Sequence, residues 1–86
     1  MHDIFILTDH ARERLLKRVE IKQEWILQAL LKPELREPHE NCPNREYVFK
    51  KIEEYGGRVL RVVRSKEGLP YTIYTAYFDR GMKGKV

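Results

Sequence analysis

Histidine and arginine recur at intervals of four residues near the start of the chain, in the stretch TDHARERLLKR from Thr8 to Arg18. Residues four apart lie one above the other on an α-helix, so His10, Arg14 and Arg18 would share one face. Histidine exchanges protons near neutral pH, and the planar guanidinium of arginine matches two phosphate oxygens at once. The spacing is therefore typical of either a solvated basic helix face or one side of a site that acts on phosphodiesters.

Cleavage of RNA without a metal ion needs three kinds of group. A base takes the proton of the 2′-hydroxyl, an acid protonates the leaving 5′-oxygen, and cations hold the charge that builds up on the phosphate. His10 could take either proton-transfer role, and Arg14 could hold the phosphate. The alternative is a wet surface on which Glu13 and Glu20 pair with such cations, each pair contributing about 0.2–0.5 kcal/mol. Spacing alone leaves both interpretations open.

A second group of cations lies in the second half of the chain. Arg58, Arg61 and Arg64 recur within one β-rich run, and Lys50 and Lys51 lie in the run before it. Side chains alternate along a strand, so Arg58 and Arg64 would share one face and Arg61 would take the other. Such charges either bind phosphate or keep a hairpin edge from pairing with another chain.

Three tyrosines occupy the last β-rich run, at positions 71, 74 and 77. Strict alternation predicts that Tyr71 and Tyr77 share a face with Ile73 and Thr75, while Tyr74 points away. Tyrosines on a sheet can stack on unpaired bases, although tyrosine is also a favoured strand residue. The sequence shows no glycine-rich phosphate loop and no Ser-His-Asp or Cys-His arrangement, so it does not predict the chemistry of such sites.

The N-terminal part of the chain predicts a short strand and two helices. The strand is Ile4–Leu7, and Thr8 or Asp9 can cap the helix that follows it. The buried stripe of this first helix is predicted to consist of Ala11, Leu15, Leu16 and Val19. The second helix is Gln23–Leu31, because its apolar residues recur at helical spacing and Pro33 cannot continue a helix.

The remaining sequence predicts a loop followed by an antiparallel meander. Pro33–Asn44 is interpreted as a long connecting loop, with His39 as a solvated histidine and Cys42 as a half-buried thiol rather than as metal ligands. The predicted strands are Glu46–Tyr55, Arg58–Arg64 and Tyr71–Phe78, with Gly56-Gly57 as a turn of positive φ between the first two. A two-residue turn there would pair Tyr55 with Arg58, which separates apolar from charged faces poorly, so the register stays open. The fold class is α+β, with two helices on an antiparallel sheet of three to four strands.

Composition and charge narrow the classes of partner. The 86 residues form one predicted domain, 1–86, in which residues 81–86 are a frayed tail or a short basic arm. Lys and Arg total 17 against 13 Asp and Glu, which mildly favours RNA, DNA or an acidic protein as partner. No apolar run reaches the length of a membrane span, and Cys42 is the only cysteine, so we expect a cytoplasmic protein without cofactor or metal.

Two parts of the chain resemble one family of small bacterial proteins, the domain of unknown function family 4258. The stretch TDHARERLLKR is similar to the family's opening motif H-A-x-x-R-x-x-x-R. The later stretches RVLRVV and TAYFDRGMKGKV are similar to its closing pattern. The resemblance covers His10 to Leu31 and Arg58 to Val86.

The resemblance also implies a fold and an activity, because the family is grouped with RelE/ParE-type toxins and barnase-like nucleases. It implies two helices packed on an antiparallel sheet and a metal-independent ribonuclease. In such an enzyme His10 would be the acid or base, and Arg14 and Arg61 would hold the phosphate. Arg18 and Thr75 would support or orient these groups. Further contacts with nucleic acid are predicted for Arg18, Arg64, Lys50 and Tyr77.

Two other functions stay open. The chain could be a non-enzymatic module that binds a nucleic acid or a small protein, such as a cognate antitoxin, through a strand edge or its basic tail. It could also be an uncharacterised small cytoplasmic protein with another role, since fold does not imply function. We expect no membrane partner and make no prediction of the oligomeric state.

Overall fold

A computed structural model of the chain describes residues 4–17 and 20–86. In chain order its elements are β1 (Phe5–Leu7), α1 (Asp9–Lys17), α2 (Gln23–Leu31), β2 (Leu35–Pro38), β3 (Arg45–Ile52), a 3-10 helix (Glu53–Tyr55), β4 (Arg58–Ser65), β5 (Tyr71–Phe78) and a second 3-10 helix (Arg80–Met82). The predicted first strand, both helices and the three later strands are confirmed. No helix in the described part of the chain has both the length and the apolar composition that crossing a bilayer requires.

The five strands form one mixed sheet in the order β1-β5-β4-β3-β2. Strands β2 to β5 pair antiparallel with their chain neighbours, whereas β1 pairs parallel with the first residues of β5. The prediction of an α+β fold with two helices is confirmed. The predicted sheet of three to four antiparallel strands is too small, because β1 joins it in parallel and β2 adds a strand at the other edge.

Strand β2 lies within the segment that the sequence predicted to be a loop. Leu35–Pro38 pairs with β3, and Leu35 faces Phe49 across the pair. The segment carries one apolar residue, two charges and a proline, which is a composition that an edge strand tolerates and a central strand does not. The remaining loop between β2 and β3 is therefore short, and it begins at His39.

The connection between β3 and β4 is longer than a two-residue turn. The 3-10 helix Glu53–Tyr55 precedes the two glycines, so Ile52 rather than Tyr55 pairs with Arg58. Gly56 and Gly57 have φ angles of 71° and 74°, which confirms the predicted positive φ. The register shifts by three residues from the simple turn, so that Val48 pairs with Val62 and Lys50 pairs with Leu60.

The two faces of the sheet differ in what packs against them. Both helices lie on one face, called here the helix side, and its buried strand residues are Val48, Ile52, Leu60, Val62, Ile73 and Ala76. The opposite face, called here the outer face, carries the side chains that alternate with these, namely Tyr47, Phe49, Arg61, Val63, Thr75 and Tyr77. The predicted separation of Arg61 from Arg58 and Arg64 agrees with this pairing.

A β-bulge between β4 and β5 decides which residues of β5 reach the outer face. Val63 pairs with Thr75, but its neighbour Arg64 pairs with Ile73, so Tyr74 is an extra residue in β5. Side chains change face at this point, and Thr75 lies on the outer face while Ile73 lies on the helix side. Strict alternation predicted one shared face for these two positions, and it is wrong because of the bulge.

Helix α1 buries less of its surface than its sequence predicted. Its first turn is capped by Thr8, whose Oγ1 accepts a hydrogen bond from the Ala11 N–H at 3.1 Å. Ala11 is fully buried and Leu15 is half-buried, but Leu16 is 73% exposed. The predicted stripe is therefore wrong at Leu16, because α1 packs on the β1–β5 end of the sheet along a narrow line. Val19 lies outside the described residues.

A buried ion pair fastens α2 to the sheet. Glu46 and Arg64 are 5% and 3% exposed, and a Glu46 Oε2 accepts from Arg64 Nη2 at 2.7 Å and from Nε at 3.1 Å. Arg64 Nη1 also donates to the Leu30 carbonyl at 2.9 Å, at the C-terminal end of α2 where carbonyls lack helical partners. Arg64 therefore satisfies a helix end as well as a carboxylate.

Candidate functional site

A cleft of about 430 Å³ is formed jointly by side chains of α1 and by outer-face side chains of the sheet, at the end of the sheet where α1 contacts β5. Ligand sites in proteins commonly occupy about 300–1,000 Å³. The residues that line this cleft are His10, Arg14, His39, Arg45, Val63, Tyr74, Thr75 and Tyr77. They come from α1, the β2–β3 loop and strands β3, β4 and β5, so the fold brings together side chains that are far apart in sequence.

The first wall of the cleft comes from α1. His10 lies in the first turn of the helix and Arg14 one turn later, and both side chains are exposed. The Thr8 cap sets where the helix begins, and so sets which of its residues turn toward β5. The shared face predicted for His10 and Arg14 thus lies along the cleft. Arg18, the third predicted member of that face, lies outside the described residues.

The floor of the cleft comes from the central strands. Val63 of β4 and Thr75 of β5 are register partners, and Tyr77 follows on the same face of β5. The bulge at Tyr74 is what turns Thr75 and Tyr77 to this face. Two of the residues that the family resemblance and the tyrosine pattern singled out therefore lie next to His10 and Arg14.

The opposite wall holds an arginine that the sequence did not predict. The guanidinium carbon of Arg45 lies 3.7 Å from the centroid of the Tyr74 ring, which is a close cation–π contact. Such stacking fixes the guanidinium plane while its N–H groups remain at the edge. Arg45 was missed because it sits at the end of the proline-rich segment, one residue before the predicted start of the strand.

A second histidine, also missed by the sequence, lines the cleft from the β2–β3 loop. The Nδ1 atom of His39 accepts hydrogen bonds from the backbone N–H groups of Asn41 and Cys42, each at 3.1 Å. The ring stacks on Tyr47 with centroids 5.1 Å apart and planes 24° from parallel. His39 was interpreted as a solvated loop residue, whereas in the structure its ring is held by the two backbone hydrogen bonds and by the stacking contact with Tyr47.

Behind this wall, an ion pair supports the Tyr47 ring. The guanidinium carbon of Arg61 lies 4.2 Å from the Tyr47 ring centroid, and Arg61 Nη1 donates to Asp79 Oδ2 at 2.8 Å. Burial and the neighbouring carboxylate of Glu40 raise the pKa of Tyr47 above its ordinary value of 10.0, and the charge of Arg61 partly opposes them. Tyr47 is therefore a neutral phenol that donates to Glu40 Oε1 at 3.4 Å.

Three predicted cations do not line the cleft. Arg61 lies on the outer face nearby, but Asp79 compensates its charge. Arg64 is buried on the helix side, where Glu46 and the end of α2 hold its guanidinium, so we give it a structural role in place of the predicted contact with nucleic acid. Lys50 is also on the helix side, with Nζ 4.0 Å from Glu34 Oε1.

The charges along the cleft favour an anion. Its lining includes two arginines and two histidines, and no acidic side chain is among the described residues that line it. The fold thus concentrates positive charge here although the whole chain carries only +4. Residues 4–17 and 20–86 contain no cluster of three or more His, Cys, Asp and Glu side chains that could hold a metal ion.

The sequence of the chain was compared with models of known protein families. The model of one family, described as "Domain of unknown function (DUF4258)", matches residues 7–78. The chain belongs to the DUF4258 family. No curated protein and no solved structure matches it significantly.

The DUF4258 match includes every residue that lines the cleft, from His10 to Tyr77. Asp79, which holds Arg61, lies just beyond the matched span. The family's description carries no activity, so the role of each cleft residue has to be inferred from its position and chemistry.

Proposed function

We propose that this DUF4258 domain is a metal-independent endoribonuclease whose active site is the cleft beside α1. The observation that carries the proposal is the meeting of His10 and Arg14 from α1 with Arg45, Thr75 and the rest of the cleft lining from the sheet. A proton-transfer group and two phosphate-binding groups then surround one space of suitable size.

In the proposed reaction the 2′-oxygen of the substrate attacks the adjacent phosphorus. His10 takes the proton of the 2′-hydroxyl, the new O2′–P bond forms, and the P–O5′ bond breaks. The leaving 5′-oxygen receives a proton from water, to which the cleft is open, and the proton that His10 took neutralises the hydroxide that remains. The products are a 2′,3′-cyclic phosphate and a 5′-hydroxyl end, so atoms, charge and protons balance without an oxidant or reductant.

The arginines on the two walls have the chemistry to hold the phosphate. Arg14 carries a positive charge on an exposed side chain of α1, and Arg45 presents a guanidinium fixed by the Tyr74 ring. Charge on the phosphate oxygens increases as the pentacoordinate state forms, so preplaced cations stabilise that state more than the substrate. Thr75 and Tyr77 on the floor would orient the adjoining sugar.

The wider identity of the protein is part of the same proposal. We infer a RelE/ParE-like toxin domain that acts on RNA in the cytoplasm, on the basis of two helices followed by four antiparallel strands and of the basic cleft. RNA would be its substrate, and a cognate antitoxin would be its partner.

Cleavage by purified protein in the presence of EDTA tests the proposal. Wild-type protein should generate RNA fragments with 2′,3′-cyclic phosphate ends, and His10→Ala should lower the rate by about 10²–10⁴-fold, the usual contribution of a positioned acid or base. Lys17→Ala is the matched control, because Lys17 is exposed on the same helix and is not part of the cleft lining. Equal RNA degradation by wild type and His10→Ala would remove His10 from the mechanism.

A second candidate function, binding of a small protein without catalysis, is favoured by a groove on the other side of α1. This groove has a volume of about 170 Å³ and is lined by Phe5, Leu7, Arg12, Leu15, Leu16, Ile21, Gln23 and Ile26. Leu16 is 73% exposed at its rim, and an exposed leucine beside an apolar groove is typical of a protein contact. An antitoxin with one apolar helix face would fit there.

Co-purification with a candidate antitoxin, a small protein encoded nearby, distinguishes the two functions. A stable complex that Leu16→Glu abolishes and Lys17→Glu preserves, together with absence of ribonuclease activity in the free chain, would favour the binding module. An active free chain whose activity the partner suppresses would support both parts of the toxin proposal.

A further inference from the structure

The hydrogen bonds of His39 define which of its ring nitrogens carries the proton. Both partners of Nδ1 are backbone N–H groups, of Asn41 and Cys42, so Nδ1 can only accept. A neutral imidazole has one N–H, which must then be on Nε2. The loop therefore holds His39 as an Nε2–H donor.

The position of the ring is as well defined as its tautomer. His39 stacks nearly parallel on Tyr47, and Tyr47 in turn contacts the guanidinium of Arg61, which Asp79 anchors from the end of β5. The ring lines the cleft while its Nδ1 edge is turned to its own loop. Nε2 is separated from Nδ1 by Cε1 and makes no hydrogen bond to the two loop N–H groups, so it is the polar atom of His39 that a ligand in the cleft can meet.

An Nε2–H donor in this state cannot perform either proton transfer of the reaction. A general base needs a lone pair at the atom that faces the substrate, and Nε2 has none while it carries the proton. A general acid needs an imidazolium, in which Nδ1 would also bear a proton and would lose both backbone hydrogen bonds. A neutral imidazole N–H is instead suited to stabilise an oxygen that becomes negative.

We infer, on the basis of the proposed ribonuclease function, that His39 donates a hydrogen bond from Nε2 to a phosphoryl oxygen of the substrate and transfers no proton. The two cleft histidines thus have different chemistry: His10 exchanges a proton with the 2′-hydroxyl, and His39 binds the phosphate from the opposite wall. Tyr47 and Arg61 are positioning residues, since they hold the His39 ring and do not line the cleft.

Nitrogen NMR of the full chain, labelled with ¹⁵N-histidine, tests the tautomer and the binding without any turnover. In mildly alkaline buffer, His39 should show a protonated Nε2 and an unprotonated Nδ1, because Nδ1 accepts two backbone hydrogen bonds. Addition of inorganic phosphate should shift the Nε2 resonance and leave Nδ1 nearly unchanged. A protonated Nδ1, or a phosphate response confined to His10, overturns the inference whether or not the chain cleaves RNA.

Replacement of His39 separates donation from proton transfer in an active enzyme. The side-chain amide of glutamine can donate from nearly the same distance as Nε2, so His39→Gln should keep kcat/KM for an RNA dinucleotide within about tenfold of wild type. His39→Leu should lose about 10²-fold or more, as expected for one lost donor to a developing oxyanion. Glutamine as inactive as leucine would make His39 a proton-transfer group, and full activity of His39→Leu would leave it without a role.

The two tests also separate this inference from the proposed function. Wild-type protein without ribonuclease activity contradicts the proposed function, and the phosphate titration then decides alone whether His39 binds an anion. Active wild-type protein in which His10→Ala is inactive and His39→Leu is unchanged supports the ribonuclease and overturns the role of His39.

Discussion

Arg12 and Arg14 are two residues apart on α1 but meet different surroundings. Arg14 lines the basic cleft, whereas Arg12 lines the apolar groove on the other side of the helix. Both are exposed arginines, so the same substitution removes the same charge from the same element. Comparison of the two variants therefore separates the effect of a contact in the cleft on RNA cleavage from the effect of net charge on RNA cleavage.

Arg14→Gln should lower kcat/KM for RNA by about 10–100-fold, because a hydrogen bond between charged groups is worth about 1.5–3 kcal/mol and each 1.36 kcal/mol is tenfold. Arg12→Gln should change it by less than about threefold, since distant surface charge acts only through the screened field. The measurement is single-turnover cleavage at equal ionic strength. Equal losses in the two variants would mean that positive charge on α1, rather than a contact in the cleft, drives binding.

Tyr47, which stacks on His39, makes the free energy of unfolding depend on pH. Its pKa is raised in the fold by burial and by Glu40, so the folded state retains the phenolic proton to a higher pH than the unfolded chain does. The resulting stabilisation is complete below the ordinary value of 10.0 and is lost as the pH rises through the folded pKa.

Tyr47→Phe should therefore unfold with a weaker dependence on pH above about 10 than wild type. Urea unfolding at a series of pH values between neutrality and the alkaline limit measures this difference, and the other tyrosines cancel because both proteins contain them. A steeper alkaline loss in Tyr47→Phe would mean that the environment of Tyr47 favours the phenolate.

At the scale of elements, periodicity predicted the helices and the long strands well. Helix α2 and strand β5 have the predicted bounds, because Pro33 ends the one and a continuous β-rich run defines the other. Strand β2 could not be predicted, since an edge strand with one apolar residue has no period to detect. The bulge at Tyr74 was equally hidden, because it depends on pairing with β4 and not on the residues of β5.

The fastening of α2 to the sheet depends on Glu46. Glu46→Ala should lower the free energy of unfolding by about 3–5 kcal/mol, because it leaves the buried guanidinium of Arg64 without its carboxylate. Arg36→Ala removes the other partner of Glu46, but the Arg36 side chain is 59% exposed, so its loss should cost less than about 1 kcal/mol. Urea unfolding of both variants measures the contrast, and similar losses would contradict the structural role given to Arg64.

At the scale of the whole molecule, the cleft exists because α1, the β2–β3 loop and strands β3 to β5 meet. His10, Arg14, Thr75 and Tyr77 were predicted as site residues from the helical spacing, the family resemblance and the tyrosine pattern, and all four line it. His39 and Arg45 were not predicted, because the loop and strand that carry them reach the cleft only through the β2–β3–β4 pairing. Arg64 was predicted to contact nucleic acid because it is positively charged. The sequence does not distinguish an exposed arginine from one that is paired with a carboxylate in the core.

In the proposed mechanism the cleft directs attack of the 2′-oxygen on its own phosphodiester. This attack is tested with an RNA oligonucleotide in which one nucleotide at a mapped cleavage position lacks the 2′-oxygen, with EDTA present and the all-RNA oligonucleotide as control. Cleavage should disappear at the 3′-phosphodiester of the deoxynucleotide and continue at the other positions of the strand. Undiminished cleavage at the deoxynucleotide would show that another nucleophile attacks the phosphorus, and it would contradict the mechanism built on His10.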